Sequence, residues 1–229
     1  MKNGFKLEED IKISLTNLSH SEKKQKLNRL KEIEDELEKL YSQKKNELSK
    51  TKGDLLEEYI SLILEFNNCL IDFQRNIQTA TNEIDFHISL TKNAKLYRYK
   101  KIIPEFIPDH FIFECKNYKK SLDIPLINKF HSVLITQNYN FGILFSYSGI
   151  TGEKIKAWKD GLGFIKKINL LAVNVRGISC QNCNLKNRFP ILFYSNKLKT
   201  HELITKYNCD LFEWIDKSME EMKLDCKLT

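Results

Sequence analysis

Glu114 and Lys116 stand two residues apart in the run HFIFECK, residues 110–116. On a β-strand that spacing sends both side chains to one face, while Phe111, Phe113 and Cys115 leave by the other. A carboxylate and an ammonium on a strand otherwise rich in Phe and Ile require an explanation, because burying an unpaired charge is costly. Two readings meet the requirement. One is an edge strand whose salt bridge is solvated. The other is a site that uses both groups: a carboxylate for a hard divalent cation, and a lysine beside an attacking water or a scissile phosphate. Asp85 favours the second. In NEIDFHISL (82–90), Ile84, Phe86, Ile88 and Leu90 form one face and Asp85, His87 and Ser89 the other. Two adjacent strands can then present Asp85, Glu114 and Lys116 to one cleft, where two carboxylates would hold Mg2+, with Mn2+ as a substitute. Asp109 is the competing carboxylate. It lies five residues before Glu114, an odd separation that points it to the opposite face, so Asp85 is preferred.

The elements that must position these residues follow from periodicity. Residues 21–50 read as one long polar helix, with Leu30, Ile33, Leu37 and Leu40 at heptad spacing. The stripe is either a short dimerising coiled coil or the inner face of an arm laid on its own domain, and its length of two heptads favours the arm. After Gly53, a second helix carries Leu55, Leu56, Tyr59, Leu62, Ile63 and Phe66 on one face. Strands are expected at 69–74, 82–90, 110–116, 141–146 and 164–175. Pro125 opens a helix running to about Asn138. Thr151 could cap another that ends at Gly161. Beyond 179 only a helix around 211–224 is readable. The order from residue 54 indicates one α/β domain, a mixed sheet flanked by helices. The expected boundaries are an N-terminal helical arm at 1–50, the α/β domain at 51–178 and a C-terminal extension at 179–229.

Composition narrows the function classes. The chain has 229 residues, 41% hydrophobic and 29% charged, which excludes a wholly disordered protein. No apolar run reaches the ~18–20 residues of a membrane helix. The opening MKNGFKLEED lacks the apolar stretch of a signal peptide, so a cytoplasmic address is expected. A net charge of +7 permits a polyanionic partner. The stretch 91–101 supplies five cations and no acid: Lys92, Lys95, Arg98, Lys100 and Lys101, interleaved with Tyr97 and Tyr99. It is either a clamp on a phosphate backbone or a solvated β-hairpin tip. Lys119 and Lys120 follow the ExK triplet closely enough to touch phosphate. His87 shares a face with Asp85 and is expected beside the site rather than as a ligand. Gln137 and Ser146 are polar near the site, with no readable role.

Asp85 and Glu114-Cys115-Lys116 together resemble the D…(D/E)-x-K signature of the PD-(D/E)xK restriction-endonuclease-like nucleases. TKGDLLEEYISLIL, from Thr51, is similar to the opening K-G-x-x-L-E helix of the type IV restriction endonuclease (Mrr-like) branch. NEIDFHI resembles that branch's E-I-D strand, and FIFECKNY its V-E-C-K-N strand. FGILFSYSGIT resembles its G-x-(L/F)-x-S-x-x-G-(F/I)-T segment. The likeness covers about residues 51–160 in the right order. It implies a restriction-endonuclease-like core that hydrolyses phosphodiester bonds in DNA, in restriction or defence against foreign DNA. It further implies Asp85, Glu114 and the backbone carbonyl of Cys115 as metal ligands, and Lys116 as the group that positions or polarises the water. The helix carboxylate of the pattern falls on Glu57, with Glu58 as runner-up, since periodicity does not choose between them. Apart from the resemblance, which does not reach the arm, the basic residues Lys95, Arg98, Lys100, Lys101, Lys119 and Lys120 are the candidate nucleic-acid contacts, and the heptad stripe leaves a homodimer through the N-terminal helix as the alternative to a packed arm. The alternative is a catalytically inactive nuclease fold that binds DNA or serves as an adaptor through its arm. RNA is a further candidate substrate.

Cys180-x-x-Cys183 is half of a zinc-site spacing, and Cys209 and Cys226 do not form a second CxxC. These are expected to be plain cysteines. Elemental analysis of the purified protein should therefore show no stoichiometric zinc; one zinc per chain that disappears in Cys183→Ser would establish a zinc module instead.

Overall fold

The computed structural model describes residues 16–42, 49–79, 82–153, 160–177 and 190–227. In chain order the elements are α1 (His20–Ser42), α2 (Ser49–Glu65), β1 (Ile71–Gln78), β2 (Glu83–Leu90), α3 (Lys92–Tyr99) and β3 (His110–Lys116). They continue with α4 (Ile124–Thr136), β4 (Phe141–Ser146), α5 (Asp160–Gly177), β5 (Ile191–Ser195), α6 (Lys197–Thr205) and α7 (Leu211–Lys227). The strands form one mixed five-stranded sheet in the order β1-β2-β3-β4-β5, with β3, β4 and β5 parallel. The chain falls into two compact units. One gathers the residues up to Phe73 with Ser89–Asp109 and Glu202–Asp216. The other gathers Gln74–Ile88, His110–His201 and the residues from Lys217.

In the first unit α1 begins with a reciprocal cap. The Ser19 amide donates to Glu22 Oε2 at 2.7 Å, and the Glu22 amide donates to Ser19 Oγ at 3.3 Å. The helix then runs antiparallel to α2. Lys26 pairs with Glu65, Arg29 with Glu58 at 2.8 Å, Tyr59 with Glu34, and the Lys52 ammonium sits 5.1 Å from the centre of the Tyr41 ring. Leu30, Ile33 and Leu37 are buried in the chain itself, and Leu40 is half-buried. The apolar stripe thus behaves as the inner face of an arm. Beyond α2, the buried Asn67 side chain donates to the carbonyls of Ile63 (3.1 Å) and Cys209 (2.8 Å) and accepts from the Leu211 amide (3.2 Å). One side chain so joins segments more than 140 positions apart in sequence.

The hairpin tip, one of the two readings of 91–101, gives way to the helix α3 over Lys92–Tyr99. Thr91 decides this: its hydroxyl accepts from the Ala94 amide at 3.2 Å as an N-cap and donates to the Cys69 carbonyl at 2.9 Å. The strand expected at 69–74 starts at Ile71 and runs on to Gln78. Of its later residues Arg75, Asn76 and Gln78 are polar, as an edge strand permits, and Ile77 alone is too little for hydrophobic alternation to reveal them.

In the second unit one face of the sheet carries Ile112, Leu144 and Leu192, which cluster with Ile127, Phe130 and Leu134 of α4 and Leu162 and Ile165 of α5. Asp123 caps α4 by accepting from the Leu126 amide, and Pro125 occupies its first turn as expected. Gly142 permits the close approach of α4: a Cβ there would lie 2.7 Å from Leu134 Cδ2 and 2.9 Å from Phe130 Cζ. The opposite face is a chain of aromatic contacts. Phe111 meets Phe113 and Phe141, Phe113 meets Phe145, and Phe141 meets Phe193, at centroid distances of 5.3–5.6 Å.

The segment 164–175, expected as a strand, belongs to α5. Its buried residues Leu162, Ile165, Ile168 and Ala172 recur every three or four positions, and Leu170 and Leu171 are the exposed apolar residues that imitate a strand. Thr151 does serve as a cap, but for α5, accepting from the Gly161 amide at 2.9 Å. The strand β5 in the tail went unanticipated. Asn169 of α5 bonds both backbone groups of Leu192, donating to its carbonyl and accepting from its amide, each at 2.8 Å. This occupies hydrogen-bonding groups that the terminal strand of the sheet would otherwise leave open.

Because Leu37 is buried within the chain, Leu37→Ala should lower unfolding stability by about 2–5 kcal/mol, read from urea denaturation. A change below about 0.5 kcal/mol, the range of surface substitutions, would mean that the stripe is not packed as described.

Candidate active site

The site is built at the carboxyl end of β3, the end at which parallel sheets present ligands. The strand's alternation places His110, Ile112, Glu114 and Lys116 on one face and the three residues Phe111, Phe113 and Cys115 on the other, as its sequence requires. Glu114 and Lys116 form an ion pair with side chains only 13% and 27% exposed, so the pair is not the solvated edge bridge of the first reading. The parallel ladder sets Leu144 beside Glu114 and Ser146 beside Lys116.

Asp85 joins them through the backbone. Its Oδ2 accepts from the Cys115 amide at 2.6 Å, which holds the carboxylate against the residue between Glu114 and Lys116. The His87 and His110 rings stack at 5.4 Å with an interplanar angle of 11°, so the polar face of β2 and the Glu114 face of β3 coincide. Tyr139 lies 5.8 Å from His87. His87 therefore stands against other rings beside the site, and burial, then the neighbouring His110, lowers its pKa. Burial also pulls down the pKa of Lys116. The charge of Glu114 and its hydrogen bond, followed by Asp85 and Tyr118, outweigh it, and the net pKa is raised. Lys116 is therefore a cation at neutral pH.

Carboxylate oxygens are hard donors. Among the described residues no group of three or more His, Cys, Asp or Glu could hold a metal, which leaves two carboxylates. Mg2+ is commonly held by one or two carboxylates, completing its shell with water and substrate phosphate. A strand residue's N–H and C=O leave by the same edge, so the Cys115 carbonyl faces the side on which Asp85 lies.

The loop after β3 is fastened to the turn after β4. Ser148 Oγ lies 2.8 Å from the Tyr118 carbonyl and 3.0 Å from that of Lys119, and Ser121 Oγ donates to the Ser148 carbonyl at 2.8 Å. Leu122 and Ile150 add a parallel bridge. Gly149, at φ +72°, makes the turn. Lys119 and Lys120 are exposed on this anchored loop.

The other expected residues are distributed differently. Glu57 and Glu58 lie on α2 in the first unit, both half-buried, and Glu58 is held by Arg29. Lys95 and Arg98 of the basic stretch share one acidic partner. Both pair with Asp109, Lys95 at 2.8 Å, within the first unit. Lys100 and Lys101 are exposed, Lys101 with Glu105 at 3.8 Å. Gln137 is the C-cap of α4, before β4 begins, and so lies away from the carboxyl ends of the strands. Cys180 and Cys183 lie outside the described residues. The register that makes Ser146 the neighbour of Lys116 has no signal in the sequence. No family model, no curated protein and no solved structure matches this chain.

The hydrogen bond from Lys95, then that from Arg98, holds the Asp109 carboxyl below its ordinary pKa against the opposing effect of burial. Its contribution to stability is present above the unfolded carboxylate value, about 3.9, and is lost as pH falls through the folded value. Asp109 is 39% exposed, so solvent screening limits the effect to roughly 1 kcal/mol or less. The difference in urea midpoint between wild type and Asp109→Asn should be present at pH 7 and shrink towards pH 3. A difference that is constant across this range would remove the ion pairs as its source.

Proposed function

We propose that the chain is a Mg2+-dependent endonuclease that hydrolyses phosphodiester bonds in DNA. On this reading it has a restriction-endonuclease-like core of the Mrr-like branch and acts in restriction or defence against foreign DNA. The observation that supports it most directly is the Asp85–Cys115 hydrogen bond, which brings a second carboxylate to the Glu114–Lys116 pair. The α/β architecture and the carboxyl-end location agree with the reading.

Asp85, Glu114 and the Cys115 carbonyl would hold the cation. When bound, such a cation neutralises charge on the phosphate and makes water more acidic. Lys116, a cation on the same face, would orient the attacking water and offset the charge that develops on the non-bridging phosphate oxygens. Lys119 and Lys120, on the loop clasped by Ser148, would grip a neighbouring phosphate; such contacts position nucleic acid without reading its sequence. Lys100 and Lys101 remain available for backbone contact, whereas Lys95 and Arg98 serve Asp109 first.

The test is cleavage of plasmid, linear duplex, single-stranded DNA and RNA with Mg2+, Mn2+ or EDTA. Duplex DNA should be cut with either metal and not in EDTA. Asp85→Asn, Glu114→Gln and Lys116→Ala should each lower the rate by roughly 10³-fold or more, with losses that do not add, because the groups act together. DNA affinity should change little, and Asp109→Ala should cut at close to the wild-type rate. Undiminished cutting by Glu114→Gln, or cutting that persists in excess EDTA, would overturn the assignment. RNA as the preferred substrate would keep the chemistry and change the target.

A further inference from the structure

Ser146 supplies the polar side chain at the end of β4, whose other residues are Phe141, Gly142, Ile143, Leu144 and Phe145. It is 2% exposed, and its hydroxyl has no hydrogen-bond partner. A buried hydroxyl left without a partner is costly, and nearly all such groups in folded proteins are satisfied. Ser146 is also the register neighbour of Lys116 across the parallel ladder, so the two side chains leave adjacent strands side by side on one face. The strand β5 offers no equivalent. Its Ser195 is the register neighbour of Phe145, on the opposite face, and its hydroxyl lies 2.7 Å from that of Thr200.

The ion pair explains what this hydroxyl could be for. Glu114 is both the partner of Lys116 and a carboxylate assigned above to a divalent cation. A cation drawing on the Glu114 lone pairs weakens the hold of that carboxylate on the ammonium. The ammonium has three N–H donors and no acceptor of its own, so it then needs another oxygen close by. Ser146, the register neighbour of Lys116, carries one.

We propose that Ser146 is a positioning residue for Lys116: its hydroxyl accepts a hydrogen bond from the ammonium when a divalent cation engages Glu114. The amine then stays at the site instead of swinging into solvent. This rests on the nuclease reading above.

Two measurements on the full chain test it, using Ser146→Ala and Ser146→Thr, the latter keeping a hydroxyl on a strand-compatible side chain. The first follows acylation of Lys116 by an amine-reactive ester, read by mass spectrometry, with EDTA or with Mg2+. Mg2+ should leave the wild-type rate within about twofold, and raise it about tenfold in Ser146→Ala, the scale set by loss of a hydrogen bond to a charged group. Ser146→Thr should behave as wild type. The second follows DNA cleavage: kcat should fall about tenfold in Ser146→Ala with KM little changed, and recover in Ser146→Thr. If both variants match wild type in acylation and in cleavage, the Ser146 assignment is wrong while the nuclease reading stands. Equal losses in both variants would assign Ser146 to packing and also overturn it. A wild type that cuts no nucleic acid defeats the nuclease reading, and the Mg2+-dependent acylation then decides the role of Ser146 alone.

Discussion

A carboxylate on a strand of Phe and Ile must find charge and hydrogen bonds within its immediate surroundings, because water cannot supply them there. Glu114 meets that constraint with Lys116, two residues on and on the same face. Asp85 meets its own through the Cys115 amide, a backbone group of the same strand. Both solutions draw on β3, so the two carboxylates and the lysine come together. The concentrated charge keeps Lys116 protonated despite its burial. On the proposed reading, the arrangement that makes the pair tolerable in a folded protein is also the one that would serve a cation and a phosphate.

The surroundings hold β3 in place. The strand is central in the sheet, with β2 on one side and the parallel β4 on the other. One of its faces is locked by the ring contacts of Phe111 and Phe113, the other by the α4 and α5 cluster around Ile112. Gly142 lets α4 lie close to β4, and the Ser148 and Ser121 hydroxyls fasten the loop that follows the site. Lys119 and Lys120 are therefore carried on an anchored loop. Asn67 and Asn169 perform a related task in the two units, each using one amide side chain to bond two or more backbone groups distant in sequence.

Charge along the chain does not translate directly into charge available to a polyanion. Residues 91–101 read as five cations without an acid, yet Asp109, outside that window, takes both Lys95 and Arg98. The helix α3 brings these two together, since residues three apart share a face. Lys92, Lys100 and Lys101 remain exposed. Mutual neutralisation of this kind explains why a basic stretch is weak evidence for binding until its neighbours in space are known.

Periodicity in the sequence was enough to place β2, β3, β4 and α4, because each is amphipathic or fully apolar over its whole length and sharply ended by Thr91, Pro125 or the Ser146 turn. The strict alternation of residues 83–90 and 110–116 also determined which side chains share a face, and hence that Glu114 and Lys116 stand together and that Asp85 stands apart from Ile84 and Phe86. The failures have one cause. The helix α5 exposes Leu170 and Leu171, β1 is polar where it forms an edge, and α3 depends on a single Thr cap, so local pattern misdescribed all three. What only the tertiary structure decided were the relations across chain: Asp85 to Cys115, Asp109 to Lys95 and Arg98, and Ser146 to Lys116. Each is a hydrogen bond, an ion pair or a register set by the packing of whole elements, and no spacing along one element encodes which residue of another will lie beside it.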